Sequence, residues 1–427
     1  MKKTIYLSAL LCSSLFADAD LDALKKQIEQ QKVVMQKLEA KLDVLSKKQE
    51  QTQAKVAQQE AEIVQQSVKS GNTSASFSQN AYLPDIALIL NMSALSRDVK
   101  NSDYANFAIP GFIASGDAEL PFNKDKGFNL NYAEVAMHSS VDPYFDAFAI
   151  FHLRPNAFEI GEAYVQTRAL PYALKIKAGK FKSAFGRINE KHQHSWHFDS
   201  QPIIYKSLFG PDGISDAGIQ LQWVAPTDTY IMAGIEAMQG TNGRSFGDTE
   251  ENNLYVGYVK SSVDIGDDLS ILGGVSFAHG KNAKNNTTNP TNIYGVDLTM
   301  RDQLGSYSAL IWQSEYLYRN KNIETRHDKQ AGLYSELIYQ YNNNYSAGFR
   351  YDRITKNDTD LSAYMGVDTN NLERYTTMLE YKPFPMSRLR LSYTYDKTKI
   401  IAGERKNTNK VMLSLNIAAG AHGAHNY

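Results

Sequence analysis

Cysteine is almost absent from this chain, which has one among 427 residues, Cys12. That residue lies in an N-terminal segment with two lysines at its start, an apolar core and small residues, Ala17 and Ala19, that suit cleavage. We predict that residues 1–19 are a secretory signal peptide that is removed. The mature chain would then have no disulfide, no thiolate nucleophile and no cysteine-ligated metal.

Long apolar runs and a strong net charge are also missing. Beyond the N-terminal segment, no run approaches the roughly 20 apolar residues of a transmembrane helix, and the mean hydropathy is -0.43. The net charge of -1 gives no reason to expect nucleic acid as a partner. These values are compatible with a membrane β-barrel, because inward-facing polar residues dilute the outward-facing apolar ones.

A heptad repeat follows the signal peptide. Its spacing alternates between 3 and 4 without glycine or proline, which predicts a left-handed α-helical coiled coil over residues 20–70, in the periplasm. At about 1.5 Å per residue it would form a rod of roughly 70 Å. The core positions are Leu21, Leu24, Ile28, Gln31, Met35, Leu38, Leu42, Leu45, Gln49, Thr52, Val56, Gln59, Ile63 and Gln66.

The glutamines weaken this core, so we expect the helices to associate only where something else holds the chains together. A lone solvated helix is the alternative interpretation. Residues 71–81 are rich in Gly, Ser, Asn and Thr, and we predict that they form a flexible linker.

The remaining residues, 82–427, alternate between apolar and polar side chains. From Ile86 to Ile417 they divide into sixteen short segments whose connections are, in strict turn, tight and long. About ten tilted residues span a bilayer as a β-strand, and short turns alternating with longer external loops are typical of outer-membrane proteins. We therefore predict an all-β transmembrane barrel of sixteen antiparallel strands, preceded by the coiled coil.

A soluble β-sandwich or lipocalin-like barrel is the alternative fold, with polar residues outside and apolar residues inside. Sixteen strands of this length would overfill a sandwich. In the membrane barrel, Tyr375, Thr377 and Leu379 would face lipid while their neighbours face the lumen. If the coiled coil stays in the periplasm, the first strand runs outward, and the connection after strand five, residues 186–212, is external.

The segment that enters this connection, from Gly179 to Arg187, reads Gly-Lys-Phe-Lys-Ser-Ala-Phe-Gly-Arg. It resembles the G-x-F-K-x-P-F-G segment of the phosphate-selective porin O/P-like family, trimeric outer-membrane porins with an N-terminal periplasmic coiled coil. Ala184 stands where that family usually has proline. The resemblance extends over the whole layout and implies a homotrimer in which loop 186–212 folds inward and narrows each pore. It does not identify the solute, since the family handles varied anions and small organic molecules.

Basic residues near this loop and on the predicted lumen face are the candidates for pore lining and solute binding. Rings of arginine and lysine favour anions, whereas carboxylates favour cations. The candidates are Lys175, Lys177, Lys180, Lys182, Arg187, Lys191, Arg350, Arg374, Arg388 and Arg390. These basic residues predict a weak preference for anions. The alternative is that such residues form salt bridges between adjacent strands and only stiffen the wall.

Three histidines in the loop, His192, His194 and His197, are close enough in sequence to suggest a zinc or other late transition-metal site. His422 and His425 form a second short cluster in the tail. A structural or pore-lining role is the alternative for the loop histidines, and no cofactor is predicted.

The sequence thus predicts an outer-membrane porin for passive diffusion of small hydrophilic solutes, in contact with outer-membrane lipid. One alternative is a substrate-specific outer-membrane receptor for metal ions such as zinc, although such receptors usually have 22 strands and a globular plug. Another is a tether that contacts the cell wall through the coiled coil. No nucleophile with a nearby base is recognisable, so we do not predict an enzyme.

Overall fold

The computed structural model describes residues 84–154, 157–247, 253–282 and 288–420. The predicted signal peptide, coiled coil and linker lie outside the described residues, as do His422 and His425.

Within the described residues, the chain folds into sixteen antiparallel strands of 9 to 17 residues. In chain order they are β1 (Asp85–Arg97), β2 (Gly127–Ser140), β3 (Phe145–Arg154), β4 (Ala157–Thr167), β5 (Leu174–Lys182), β6 (Ser215–Val224), β7 (Tyr230–Met238), β8 (Leu254–Ile265), β9 (Leu269–Asn282), β10 (Asn289–Gln303), β11 (Ala309–Ile323), β12 (Arg326–Gln340), β13 (Tyr345–Asp358), β14 (Glu373–Tyr381), β15 (Ser387–Ile401) and β16 (Glu404–Gly420).

The helices of the described residues are short. They are α1 (Asn101–Ala105), α2 (Ile203–Phe209) and three single-turn 3₁₀ segments, Pro171–Ala173, Gln193–Ser195 and Ser362–Tyr364. Among these residues, no helix has the length and hydrophobicity needed to cross a membrane.

The strands close into one barrel, because each pairs with its sequence neighbours and β1 also pairs with β16. At this seam Asn91 lies opposite Asn416, and its side-chain amide donates to the Asn416 oxygen at 2.6 Å. Closure gives every strand of the described residues a neighbour on both sides, which suits a bilayer because its core offers no hydrogen-bonding partners. The predicted fold class is confirmed.

Side chains alternate between the two faces of the wall, as the period of two requires. In β14, Thr377, Leu379 and Tyr381 are exposed on the outside, whereas Thr376 and Met378 are buried inside. The outer face is apolar around the barrel, with exposed residues such as Leu88, Ile219, Val259, Val296, Leu337, Leu391 and Leu413. A belt of this kind suits contact with lipid.

The connections differ between the two ends of the barrel. At one end, the tight-turn end, they contain three to six residues; connection 266–268 is the shortest and connection 168–173 is the longest. At the other, the long-loop end, connections 98–126, 183–214 and 359–372 are much longer, but 324–325 and 402–403 contain only two residues. Strict alternation of tight and long connections is therefore wrong for these two turns. Glu324 and Ala402 have φ of 55° and 53°, as primed hairpin turns require at their first central residue.

Candidate functional site

The connection between β5 and β6, residues 183–214, lies inside the barrel, and we call it the inner loop. Its side chains bond to inward-facing residues on widely separated strands. His192 Nε2 lies 2.5 Å from Glu162 Oε1 on β4, and the Tyr205 hydroxyl donates to Glu315 Oε2 on β11 at 2.6 Å. On β16, the Ser414 hydroxyl donates to Asp199 Oδ2 of the loop at 2.8 Å. Contacts on such distant strands of a closed barrel require the loop to occupy the interior.

The motif that opens the loop directs the chain inward. Phe181 and Phe185 are both 0% exposed, because they pack in the apolar core beneath the loop. Gly186 has φ of 64°, and a Cβ there would collide with the Tyr205 hydroxyl and the Glu315 carboxylate. Only glycine combines this left-handed backbone with so close an approach, so a side chain at this position would displace the loop.

Asn189 closes the neck of the loop. Its Nδ2 donates to the carbonyls of Ser183 and Ile214, at 2.8 and 2.9 Å, and its Oδ1 accepts from the Ile214 backbone N–H at 2.8 Å. Both ends of the loop are thereby joined through one buried amide, in addition to the backbone hydrogen bond from the Ser183 N–H to the Ile214 carbonyl.

The second half of the loop is held by apolar contacts. Ile204, Tyr205 and Leu208 of α2 are fully buried. They belong to a core that includes Ile293, Leu317, Tyr334 and Ile354 of β10 to β13. Burying each such side chain contributes about 1.5–3 kcal/mol. This core fills one side of the lumen, where a polar lining would otherwise be expected.

The first half of the loop is held by arginines. Arg350 donates to the carbonyl and the hydroxyl of Ser200, both at 2.7 Å, and Arg374 donates to the carbonyl of Gln201 at 2.7 Å. Both guanidinium groups also contact Asp352, at 3.1 and 3.0 Å. The shared carboxylate offsets the cost of burying two positive charges so close together.

A second arginine pair continues this contact towards the tight-turn end. Arg390 contacts Glu380 at 2.6 Å and Asp199 at 2.9 Å, and it donates to the Trp196 carbonyl at 2.6 Å. Arg388 donates to the same carbonyl at 3.2 Å and contacts Glu380 at 3.2 Å. Charge-assisted hydrogen bonds of this kind are directional, so they fix the position of the loop backbone.

Four of the predicted solute-binding arginines thus have partners within the protein. The sequence placed Arg350, Arg374, Arg388 and Arg390 on the inner face by alternation, and the structure puts them there. Their backbone partners in residues 194–201 were missed, because nothing in the sequence shows that a loop far away in the chain passes in front of β13 to β15.

The four lysines of β5 divide between the two faces. Lys177 faces inward, with its Nζ 4.8 Å from the Tyr164 ring centroid, and Lys175 shares its face by alternation. Lys180 lies opposite Ala217 on the outward face, and its Nζ donates to the Ile160 carbonyl at 2.7 Å, near the point where β4 and β5 cease to pair.

Lys182 shares the outward face with Lys180, and its Nζ donates to the Asp212 carbonyl at 2.9 Å. The structure therefore corrects the placement of these two residues, which do not line the lumen. They were assigned by proximity to the loop, whereas the strand register decides the face.

A cavity of about 650 Å³ lies between the inner loop and the tight-turn end. Among the described residues, its lining has six arginine or lysine side chains and one carboxylate, Glu380; the cations are Arg187, Lys191, Arg301, Lys382, Arg388 and Arg390. Its lining is therefore strongly positive.

Three of these cations have no ion-pair partner among the described residues: Arg187, Lys191 and Arg301. Arg301 donates to Gln303 Oε1 at 3.3 Å, which is a neutral contact. Burial and, to a smaller extent, the neighbouring Arg187 charge lower the pKa of Lys191 to about 8. Glu190, Glu336 and Glu315 act in the opposite direction. Lys191 is still mainly cationic at pH 7, so positive side chains without an ion-pair partner among the described residues face this cavity.

A smaller cavity, of about 110 Å³, lies on the other side of the loop, towards the long-loop end. Its lining includes the cations Arg97, Lys206, Arg374, Lys399 and Lys410 and the carboxylates Asp199 and Asp396. Burial lowers the pKa of Lys206 to about 7, with nearby Lys399, Arg244 and Arg374 acting in the same direction. Cations outnumber carboxylates on both sides of the inner loop.

The loop histidines do not form one group. His197 Nδ1 contacts Glu336 Oε1 on β12 at 2.6 Å. His192 lies between Glu134 and Glu162, with Nδ1 3.5 Å from Glu134 Oε2 and Nε2 2.5 Å from Glu162 Oε1. The predicted set of three therefore divides between two sides of the barrel.

Other residues take the place of His197 beside His192. His152 Nε2 and His194 Nδ1 lie 3.2 and 3.6 Å from Glu134 Oε2. Burial alone would lower the pKa of His192, but Glu134 and Glu162 outweigh it and raise the pKa to about 9. Within the described residues, Glu134, His152 and His192 are the group whose donor atoms converge closely enough to hold a metal ion. Sequence reasoning missed His152, since it lies on another strand.

Comparison with known proteins gives one sequence relative and several structural ones. The chain is 36% identical over 381 residues to an Aquifex aeolicus (strain VF5) protein described as an uncharacterized protein, covering 82% of this chain and 81% of that one. The chain belongs to the same family as this Aquifex protein. No family model matches the chain, so membership of the phosphate-selective porin O/P-like family stays a prediction.

Two solved structures are similar in fold. An anion-selective porin from Comamonas acidovorans has a TM-score of 0.52 at 11% identity, covering 79% of this chain and 99% of that chain. The outer membrane channel DcaP of Acinetobacter baumannii has a TM-score of 0.51 at 10% identity, covering 79% and 97%. At these identities the likeness establishes the fold, that of outer-membrane porin barrels.

Proposed function

We propose that this protein is an outer-membrane porin that passes small hydrophilic solutes by passive diffusion and prefers anions. The closed barrel with an apolar outer belt and a polar interior supports a membrane pore. The observation that carries the anion preference is the cavity at the tight-turn end, where six cationic side chains face one carboxylate. In such a confined space, cationic side chains favour anions.

The inner loop, in this proposal, narrows the pore. The loop is anchored on one side by the apolar contacts of α2 and on the other by four arginines. The width of the pore would then depend on both kinds of contact. The free cations Arg187 and Lys191 belong to the loop itself, and Arg301 lies on the wall at β10. Solutes would pass these three residues, whereas the buried arginines would keep the loop in place.

We further propose that the tight-turn end faces the periplasm and that three copies assemble. The resemblance implies a homotrimer, and the predicted coiled coil would add contacts between the chains. The outward faces of β2 and β4 offer large exposed aromatic residues, Phe128 and Phe158. Measuring the mass of the detergent-solubilised protein, with and without residues 20–70, tests this; a monomeric full-length chain would contradict it.

The metal-ion receptor is less well supported, because such receptors usually have 22 strands and this barrel has sixteen. The tether depends on residues 20–70, which lie outside the described residues, and the expectation that the chain is no enzyme stays a prediction.

Reversal potentials in planar bilayers under a KCl gradient test the proposal. We expect an anion preference in the wild type and a shift towards cations in the double variant Arg187→Gln, Lys191→Gln, since two uncompensated charges leave the cavity. Lys180→Gln is a matched control, because it removes one lysine from the outward face of the adjoining strand. Equal permeability to both ions in the wild type would refute the anion preference, and absence of any conductance would refute the pore.

A further inference from the structure

We propose that Glu134, His152 and His192 form a binding site for a divalent transition-metal ion, with zinc as the best fit, which fastens the inner loop to the barrel wall. These residues come from β2, β3 and the inner loop. A single ion would therefore join three segments that are distant in sequence. The proposal does not depend on whether the barrel conducts solutes.

The distances between the donor atoms fit a metal ion. Glu134 Oε2 lies 3.2 Å from His152 Nε2, 3.5 Å from His192 Nδ1 and 3.6 Å from His194 Nδ1. A tetrahedral zinc ion with donors at about 2.0–2.1 Å separates those donors by about 3.3–3.4 Å. The distances to Glu134 Oε2 are close to this value, and the donor atoms of Glu134, His152 and His192 all lie within 4.8 Å of one another, so an ion could enter if the side chains close around it.

The donor types also suit this choice. Two imidazole nitrogens and one carboxylate are the ligands of open zinc sites, and nitrogen with oxygen donors favours zinc, copper or nickel over magnesium or calcium. His194 lies beside the group and could complete the coordination. Glu134 Oε1 is buried and has no hydrogen-bond partner among the described residues, which leaves a second carboxylate oxygen for the ion.

Glu162 orients the central ligand. Its Oε1 lies 2.5 Å from His192 Nε2, and its Oε2 accepts from the Lys182 backbone N–H at 3.0 Å. A carboxylate on the far nitrogen fixes the tautomer and direction of a metal-bound histidine. His192 would then present Nδ1 to the ion, towards Glu134.

The site has a route to solvent. His194 lines a cavity of about 370 Å³ whose other walls include the turn between β14 and β15, at Phe384 and Met386. His194 therefore lies between the site and a cavity at the tight-turn end, and an ion could enter past it.

Cobalt provides the test, because Co²⁺ in a site of low coordination absorbs visible light. The full chain, without an affinity tag and in detergent, is stripped with a chelator and titrated with Co²⁺. We expect one equivalent per chain, an intense visible band, and its loss when Zn²⁺ is added. Glu134→Gln and His152→Gln should abolish the band.

Graded variants and controls locate the site. Glu162→Gln should weaken Co²⁺ binding by roughly 10- to 100-fold, as expected for a residue that orients a ligand. His197→Gln changes a histidine of the same loop and should leave the stoichiometry unchanged, as should His422→Ala with His425→Ala in the tail. Heat modifiability on gels shows which variants have folded.

Several outcomes would overturn the proposal. They are no binding by the wild type, equal binding by folded Glu134→Gln, or loss of binding in the tail variant. If Glu134→Gln and His152→Gln fail to fold, X-ray absorption of the zinc-loaded wild type decides, with imidazole ligands at about 2.0 Å expected. A spectrum without imidazole ligands would show that zinc binds elsewhere, and that a protonated His192 alone joins the two carboxylates.

Discussion

The two halves of the inner loop are held in different ways. The α2 half buries Ile204 and Leu208 in an apolar core, whereas the half at residues 194–201 is bound by arginines through its backbone carbonyls. Apolar burial is strong but non-directional, so it holds α2 against the wall without defining the pore edge. Charge-assisted hydrogen bonds have fixed geometry, so they suit residues 194–201 if the loop narrows the pore as proposed.

Substitutions in the half of the loop that the arginines hold should change the channel currents more than substitutions in the α2 half. Arg390→Met leaves Asp199 buried without its guanidinium partner, and breaking a buried ion pair costs about 3–5 kcal/mol. We expect a lower free energy of unfolding in urea titrations in detergent, and larger, noisier single-channel currents because the loop edge is released. Unchanged currents would show that the arginines do not position the loop.

A matched arginine is available on the outer surface. Arg353, 46% exposed, lies 3.9 Å from Glu373, and exposed pairs contribute about 0–1 kcal/mol. Arg353→Met should therefore change neither the currents nor, measurably, the unfolding.

The apolar half should lose stability without losing selectivity. Leu208→Ala creates a cavity in the core, and such changes cost about 2–5 kcal/mol. Since the arginines still hold residues 194–201, we expect the reversal potential to stay the same while the urea midpoint falls. Leu304→Ala, in an exposed turn, is the control, with an effect within about 0.5 kcal/mol. A changed reversal potential in Leu208→Ala would mean that the two halves are not independent.

Lys206 tests whether the α2 half of the loop also affects selectivity. It lies on α2, and its side chain lines the cavity at the long-loop end. Its pKa of about 7 means that it is mostly cationic at pH 6 and mostly neutral at pH 8. The proposed anion preference should therefore weaken modestly over this interval, which reversal potentials at the two pH values would show.

Lys206→Met should reduce that difference, while the neighbouring charges of Lys399, Arg244, Arg374 and Glu119 stay in place. The part that remains would belong to Lys191, whose pKa is about 8. An identical pH response in the variant would assign it to another group.

Much of the fold was predictable because every strand of a barrel wall alternates between outward-facing and inward-facing side chains. Alternation with a period of two identified the sixteen strands, and β14 and β15 show the predicted faces. The two-residue turns at 324–325 and 402–403 were not predicted, since neighbouring polar residues looked like parts of longer loops. The position of the candidate loop after strand five was also predictable, from the glycines and phenylalanines around Phe185.

The site was predicted less completely. Alternation placed Arg350 and Arg390 on the inner face but did not reveal that they bind the loop. Lys180 was named as a pore-lining candidate because it is close to the loop in sequence, and the register with β6 places it on the outward face. His192 was singled out, but its neighbours Glu134 and His152 belong to β2 and β3, and only closure of the barrel brings them together.

The sequence by itself determined the wall: a strand has two faces, so local alternation specifies which residues meet lipid and which meet the interior. The tertiary structure alone decided how the interior is filled. Contacts between the inner loop and strands from β2 to β16 span from 30 to more than 200 residues of chain, and no local pattern encodes which buried charge finds which partner.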